Sequence, residues 1–218
     1  STPGRTLFPY TTLFRSTLKT TEPIVNSSDG WINTGKITHI KPIKMFGLAE
    51  GPGGFIEAAC NYRNNNPADI YVGMSIEDSA DSNVPGWSKI AAYMHQHPNI
   101  VLEKGADGTG NLLSLDNFRH VVATHRNSVD LVTGDGGFDF SSDFNNQEMN
   151  MLDLLFAQIA YAICIQKRGG SFVLKIFDCF HKATVELLYL VASFYEKVHI
   201  IKPNTSRYAN SEKYLVCT

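Results

Sequence analysis

KMFGLAEGPGGFIEAACNYR, residues 44–63, is the stretch on which the fold turns. A short apolar run over 45–49 reads as a strand. It breaks at Glu50, Gly51, Pro52, Gly53, Gly54 and Phe55, and over 53–63 the apolar residues return at helical spacing. Glycines at a strand-to-helix turn let the backbone approach a ligand closely, and the helix that follows offers N–H groups its own ladder leaves unpaired. The spacing lacks G-x-G-x-x-G, which disfavours a dinucleotide site, and G-K-[ST], which removes the P-loop. On this motif alone an ordinary structural turn stays open as the alternative.

Working outward, the same alternation repeats. Strands are predicted over 70–75, 100–103, 129–133, 171–177, 198–201 and 212–217, with helices near 87–95 and over 113–125, 147–166 and 184–195. The 147–166 helix places Met151, Leu154, Leu155, Ile159, Ala162 and Ile163 on one face, and Gly169–Gly170 is read as its stop. Strands that alternate with helices imply parallel pairing through crossovers, hence an α/β, Rossmann-like doubly wound sheet with helices on both faces. No repeat or boundary interrupts residues 44–218, which read as one domain. Ligands of such sheets bind beyond the carboxyl ends of the strands, near the point where strand order reverses.

Hydrophobic residues make up 43% of the 218 and charged residues 18%, which fits a globular domain and argues against disorder. The net charge of −2 supplies no global basic field, so attraction to nucleic acid needs a local patch. No run reaches the roughly 18 apolar residues that span a bilayer; the most apolar helix, around 152–164, is broken by Asp153 and Gln158. Cys60, Cys164, Cys179 and Cys217 are scattered without metal-ligand spacing, and the seven histidines form no ligand set or triad. No metal is expected. The thiols read as free, in a reducing, intracellular setting: nucleus, cytoplasm or viral factory. Residues 6–16, TLFPYTTLFRS, match a reading-frame translation of a sequencing adaptor, so 1–16 are expected to be an artefact joined to an environmental gene fragment. Residues 17–43 read as a weakly structured leader, and the chain as clipped at both ends.

Charged residues cluster where strands end. In DLVTGDGGFDF (130–140), GGSFVLKIFD (169–178) and KPNTSRYANSEKYLVC (202–217), each strand carries one: Asp135, Lys175 and Glu212. Lys175 stands inside an apolar strand, where lysine is seldom buried without a partner; the plainer alternative is a lysine snorkelling out at a sheet edge. After the second strand comes Gly73-Met74-Ser75, and after the third Gly105-Ala106-Asp107-Gly108-Thr109-Gly110. Asp107 also suits a glycine-rich turn on local grounds.

LAEGPGGFIEA and the three segments above resemble the FtsJ-like methyltransferases over about residues 44–218. The likeness is strongest over 129–217, where SRYANSEKYLVC looks like the cap-specific enzymes of eukaryotes and large DNA viruses. The resemblance implies a sheet of seven strands with the last antiparallel, S-adenosyl-L-methionine as cofactor, and capped messenger RNA as partner. Glu50, Gly51, Pro52, Gly53, Gly54, Phe55, Ser75, Asp107 and Asp135 would then hold the cofactor, Glu50 facing its amino group and Asp107 its adenine. The spacings 135 to 175 and 175 to 212 match the family's Lys-Asp-Lys-Glu tetrad, so Asp135, Lys175 and Glu212 are the expected catalytic residues. Lysine aimed at a ribose hydroxyl acts as a base when neutral or steadies the forming alkoxide when charged. The loop with Ser206, Arg207, Asn210 and Ser211 offers donors to ribose or phosphate. For the tetrad's first lysine, Lys19, Lys36, Lys41 and Lys44 are available and none has the family's context, so the role is assigned to none. Ribosomal or transfer RNA is the alternative substrate. Rival readings are a non-catalytic RNA-binding module and an NAD oxidoreductase.

Overall fold

The computed structural model describes residues 41–76, 87–137, 147–203 and 211–218. The adaptor match over 1–16, the leader up to residue 40, and Lys19 and Lys36 lie outside them. Residues 41–43, read as the end of the leader, are tied into the fold: Arg63 Nη2 donates to the Lys41 carbonyl, and Ile43 N to Asp69 Oδ1.

Among the described residues seven strands form one sheet: β1 (Lys44–Leu48), β2 (Ile70–Met74), β3 (Ile100–Glu103), β4 (Val129–Gly134), β5 (Gln166–Ile176), β6 (Val198–Ile201) and β7 (Lys213–Cys217), in the order β3-β2-β1-β4-β5-β7-β6. The pairs β3·β2, β2·β1, β1·β4 and β4·β5 are parallel, while β7 runs antiparallel to both β5 and β6. The doubly wound expectation holds, and so does the antiparallel last strand; its place between β5 and β6 is not something the sequence predicts. Strand order reverses between β1 and β4, so the crevice where ligands bind such sheets opens above Leu48 and Gly134.

The helices are α1 (Gly54–Tyr62), α2 (Ala91–Gln96, entered through a 3₁₀ turn at Trp87–Ile90), α3 (Leu115–His125), α4 (Gln147–Asn150), α5 (Leu152–Ile165) and α6 (Lys182–Ala192). Burial explains the layering. One core joins Met45, Tyr71, Leu131, Val173 and Tyr214 to α1, Trp87 and Ile90. The other joins Phe46, Val72, Val132, Phe172 and Leu174 to α3, α5 and α6. Alternate residues of each strand thus feed opposite faces, as the pleat requires. No helix among the described residues is long and apolar enough to cross a membrane.

One sequence expectation fails. Gly169 and Gly170 do not stop the long helix. α5 ends at Ile165 and β5 begins at once, with Val129 opposite Gln166 and Leu131 opposite Ser171. The extra residues bulge out of β5, and Lys167 uses the bulge to reach the buried Asp130 carboxylate. Glycine in a strand marks such irregularities as readily as a helix end does.

Candidate functional site

The glycine turn is built from beneath. Glu50 Oε1 accepts hydrogen bonds from Phe55 N at 2.7 Å and Ile56 N at 2.9 Å. Its other oxygen lies 3.5 Å from Thr133 Oγ1 on β4. The carboxyl therefore closes the turn and caps α1, satisfying N–H groups that a helix start leaves unpaired. Burial, with Asp135 nearby, pushes its pKa up to about 8, and the two amides oppose the rise. Glu50 was expected to face the cofactor's amino group; the structure puts it to work on the turn itself. Gly53 takes φ 94°, the left-handed region that favours glycine. A Cβ there would lie 2.1 Å from Ile90 Cδ1, so the turn is backed by the 3₁₀ segment. Gly51 and Pro52 form the half-buried crest of the turn, and Phe55 is fully buried under it.

A second rim follows β2 and β3. Gly110, at φ 69°, packs so closely on Ser75 that a Cβ would sit 2.0 Å from the Ser75 carbonyl oxygen. Asp107 lies in the same loop, exposed. Its Oδ1 accepts from Thr109 Oγ1 at 2.7 Å, Thr109 N at 2.8 Å and Asn117 Nδ2 at 2.8 Å. These bonds, the threonine hydroxyl's first, hold its pKa down to about 2, so it carries full negative charge. Asn117, fully buried on α3, accepts from Asp107 N through its Oδ1 at 3.1 Å and thereby pins the loop to that helix.

The third part stands over β4, β5 and β7. Lys175 Nζ donates to the Asp135 carbonyl at 2.8 Å and lies 3.0 Å from Asp135 Oδ1. It also lies 5.9 Å from the Phe177 ring centroid. It is 8% exposed and sits on a central strand, which excludes the snorkelling alternative. Asp135 Oδ1 is buried and accepts no hydrogen bond among the described residues, although it faces the ammonium. Tyr214 is Lys175's partner in the β5·β7 register. Glu212 stands two residues before it, just outside the strand. Tyr214 Oη donates to Glu212 Oε1 at 3.2 Å, and Lys202 Nζ to the Glu212 carbonyl at 3.0 Å. Asp135 and Lys175 thus meet directly, while the contacts of Glu212 are to Tyr214 and Lys202. Lys213 Nζ holds the Ser211 carbonyl at 2.9 Å; Ser206, Arg207 and Asn210 lie outside the described residues.

Two of the spare lysines are at the wrong end. Lys44 opens β1 and donates to Ser128 Oγ at 3.1 Å, and Lys41 precedes it, so both occupy the rim opposite the crevice. Three contributors escaped sequence reading: Asn117, Tyr214 and Gln158, the last accepting from Gly136 N at 3.0 Å. Each is one polar group in an apolar or amphipathic element, and only packing shows where it points.

A buried acceptor at Asp135, a charged one at Asp107 and a glycine turn between them suit a ligand that is cationic and rich in donors. Among the described residues no group of metal-ligating side chains occurs.

A family model described as FtsJ-like methyltransferase matches residues 29–218. The cap-specific mRNA (nucleoside-2'-O-)-methyltransferase 1 of Trypanosoma brucei brucei is 42% identical over 115 residues, covering 52% of this chain and 31% of that protein. The cap-specific mRNA (nucleoside-2'-O-)-methyltransferase 2 of Danio rerio is 32% identical over 194 residues, 87% of this chain and 25% of that protein. The chain therefore spans about a third or less of these relatives' length. Among solved structures, a ribosomal RNA methyltransferase from Plasmodium falciparum matches with TM-score 0.57 over 94% of both chains at 16% identity, a likeness of fold. Human methyltransferase-like protein 13, solved with SAH, matches with TM-score 0.53 over 82% of this chain and 72% of that one, at 11% identity.

Proposed function

Because the chain belongs to the FtsJ-like methyltransferase family, we propose that it transfers a methyl group from S-adenosyl-L-methionine to a ribose 2′-hydroxyl of RNA, at a cap-proximal nucleotide of messenger RNA. The observation that carries this reading is the buried Lys175–Asp135 pair, standing at the point of strand reversal beside the glycine turn.

S-adenosylmethionine would supply the electrophilic methyl group. The turn at 51–54 and the Ser75 and Asp107 rim would hold it, with the permanently charged Asp107 taking a donor such as an adenine amino group. Lys175 acts on the 2′-oxygen: as an ammonium it steadies the negative charge that develops there, and as an amine it takes the proton at Nζ. Asp135 fixes Nζ through its carbonyl and presents a buried carboxylate oxygen with unused acceptor capacity. Glu212, oriented by Tyr214, completes the acidic surround. Ser206, Arg207, Asn210 and Ser211 would meet the ribose and phosphates of the RNA. Holding the reactants in line accounts for a large part of the rate gain in reactions of this type.

The test is transfer of labelled methyl from S-adenosylmethionine to a short capped RNA, run beside the same RNA already methylated at its first 2′-oxygens. Label in the first and none in the second is the expected result. Equal labelling of both places the acceptor elsewhere and rejects the reading.

A further inference from the structure

We propose that Gln158 is a positioning residue for Lys175, acting through the peptide group that joins Asp135 to Gly136; the inference rests on the methyl-transfer reading above. Gln158 lies in the middle of α5, LDLLFAQIAYAICI, and is fully buried. Burying an amide is unfavourable unless its polar atoms are bonded, and both of these are. Nε2 donates to the Leu154 carbonyl one turn back at 3.1 Å, and Oε1 accepts from Gly136 N at 3.0 Å. Gly136 N is only a donor and the Leu154 carbonyl only an acceptor, so the amide can be placed in one way alone.

The peptide that gives its N–H to Gln158 is the peptide whose carbonyl receives Lys175. A trans peptide is planar, with its N–H and C=O pointing in opposite directions. Anchoring the Gly136 N–H on the face covered by α5 therefore aims the Asp135 carbonyl toward the face covered by α1. Lys175 Nζ waits there at 2.8 Å. Bonds at the two ends of one peptide polarise each other, so the amide also strengthens the carbonyl as an acceptor. Lysine is a long, rotatable point charge. Two contacts from Asp135, one through the main chain and one through the carboxylate at 3.0 Å, give its ammonium a direction. With an apolar side chain at 158, the peptide before Gly136-Gly137 would lose its anchor and the ammonium its aligned main-chain acceptor.

The test combines amide hydrogen exchange with steady-state kinetics on the full chain and on Gln158→Met, which keeps the bulk and removes the acceptor. Gln158→Asn keeps the amide chemistry and falls one methylene short of Gly136; it guards against a folding failure of the first variant. In the parent chain the Gly136 amide should be protected. Both variants should lose that protection and turn over capped RNA at about a tenth of the parent rate or less, with KM for S-adenosylmethionine within about twofold. A Gly136 amide that exchanges freely in the parent overturns the inference. So does turnover within about twofold of the parent, or a loss that falls on KM as much as on kcat. A parent chain that methylates no RNA refutes the methyl-transfer reading instead, and the exchange data then decide the peptide geometry on their own.

Discussion

Replacing Lys175 by alanine should abolish methyl transfer to capped RNA and leave affinity for S-adenosylmethionine nearly unchanged, because the ammonium acts on the reacting oxygen and not on the rest of the ligand. Arginine should not restore it, since a guanidinium is always charged and broader than the space beside Asp135 and Phe177. Retention of more than about a tenth of the parent rate, a loss under about 1.4 kcal/mol, would make Lys175 structural. Glu50 predicts a pH effect on stability. Its folded value is raised to about 8 from an ordinary 4.5, so as the pH climbs the unfolded chain gives up this proton first. Its contribution is whole below about 4.5 and is lost as the pH rises toward 8. Glu50→Gln, which keeps an acceptor for Phe55 N and Ile56 N, should flatten that decline in thermal melts between pH 5 and pH 8. An unchanged slope would assign the decline to other groups. These residues differ in how far the sequence reveals them. A lysine inside FVLKIF is conspicuous because a strand in such a sheet has no wet side for it. Gln158 interrupts an apolar helix just as plainly, yet a helix offers several directions for one polar side chain and only packing selects one. Nothing local separates an acid that faces a ligand from one that, like Glu50, closes its own turn.

Elements were legible where periodicity was strong and blurred where an irregularity mimicked a stop. β1, β2, β3 and β4 fall within a residue or so of expectation, because each is a short apolar run bounded by polar or glycine residues. β5 starts earlier than expected because Gln166 already pairs with Val129 ahead of the bulge, and the polar run Gln166-Lys167-Arg168 does not read as a strand. α1 owes its place to a staple at its far end that the sequence did not advertise. Asp69, fully buried, accepts from Arg63 Nε at 2.5 Å, Arg63 Nη2 at 2.9 Å, Tyr71 Oη at 3.0 Å and Ile43 N at 3.0 Å. One carboxylate thus joins the entry to β1, the end of α1 and the start of β2. Removing one member of a buried pair strands the other, at a cost of about 3–5 kcal/mol. Asp69→Ala should lose about that much in urea unfolding; a loss below about 1 kcal/mol would mean that water replaces the carboxylate readily.

At the scale of the molecule, alternating strands and helices were enough to read a doubly wound sheet, because parallel strands need crossovers and crossovers have one favoured hand. Strand order was not readable from periodicity, since all the strands present similar apolar faces; the reversed last strand came from family likeness. That order has a consequence for how the chain comes off the ribosome. β7 follows β6 and is the last of the strands among the described residues, yet it sits between β5 and β6. Until residues 213–217 have been made, β6 lacks its only strand partner among the described residues, and Phe172, Val173 and Leu174 face an empty lane beside β5. The sheet cannot close from the amino terminus onward; it waits for its keystone, with a strand edge exposed to misassembly meanwhile. A chain stopped at residue 211 should therefore lose its sharp unfolding transition and be cut quickly by protease within 166–201, whereas a cooperative melt in that shortened chain would show that the first five strands stand alone.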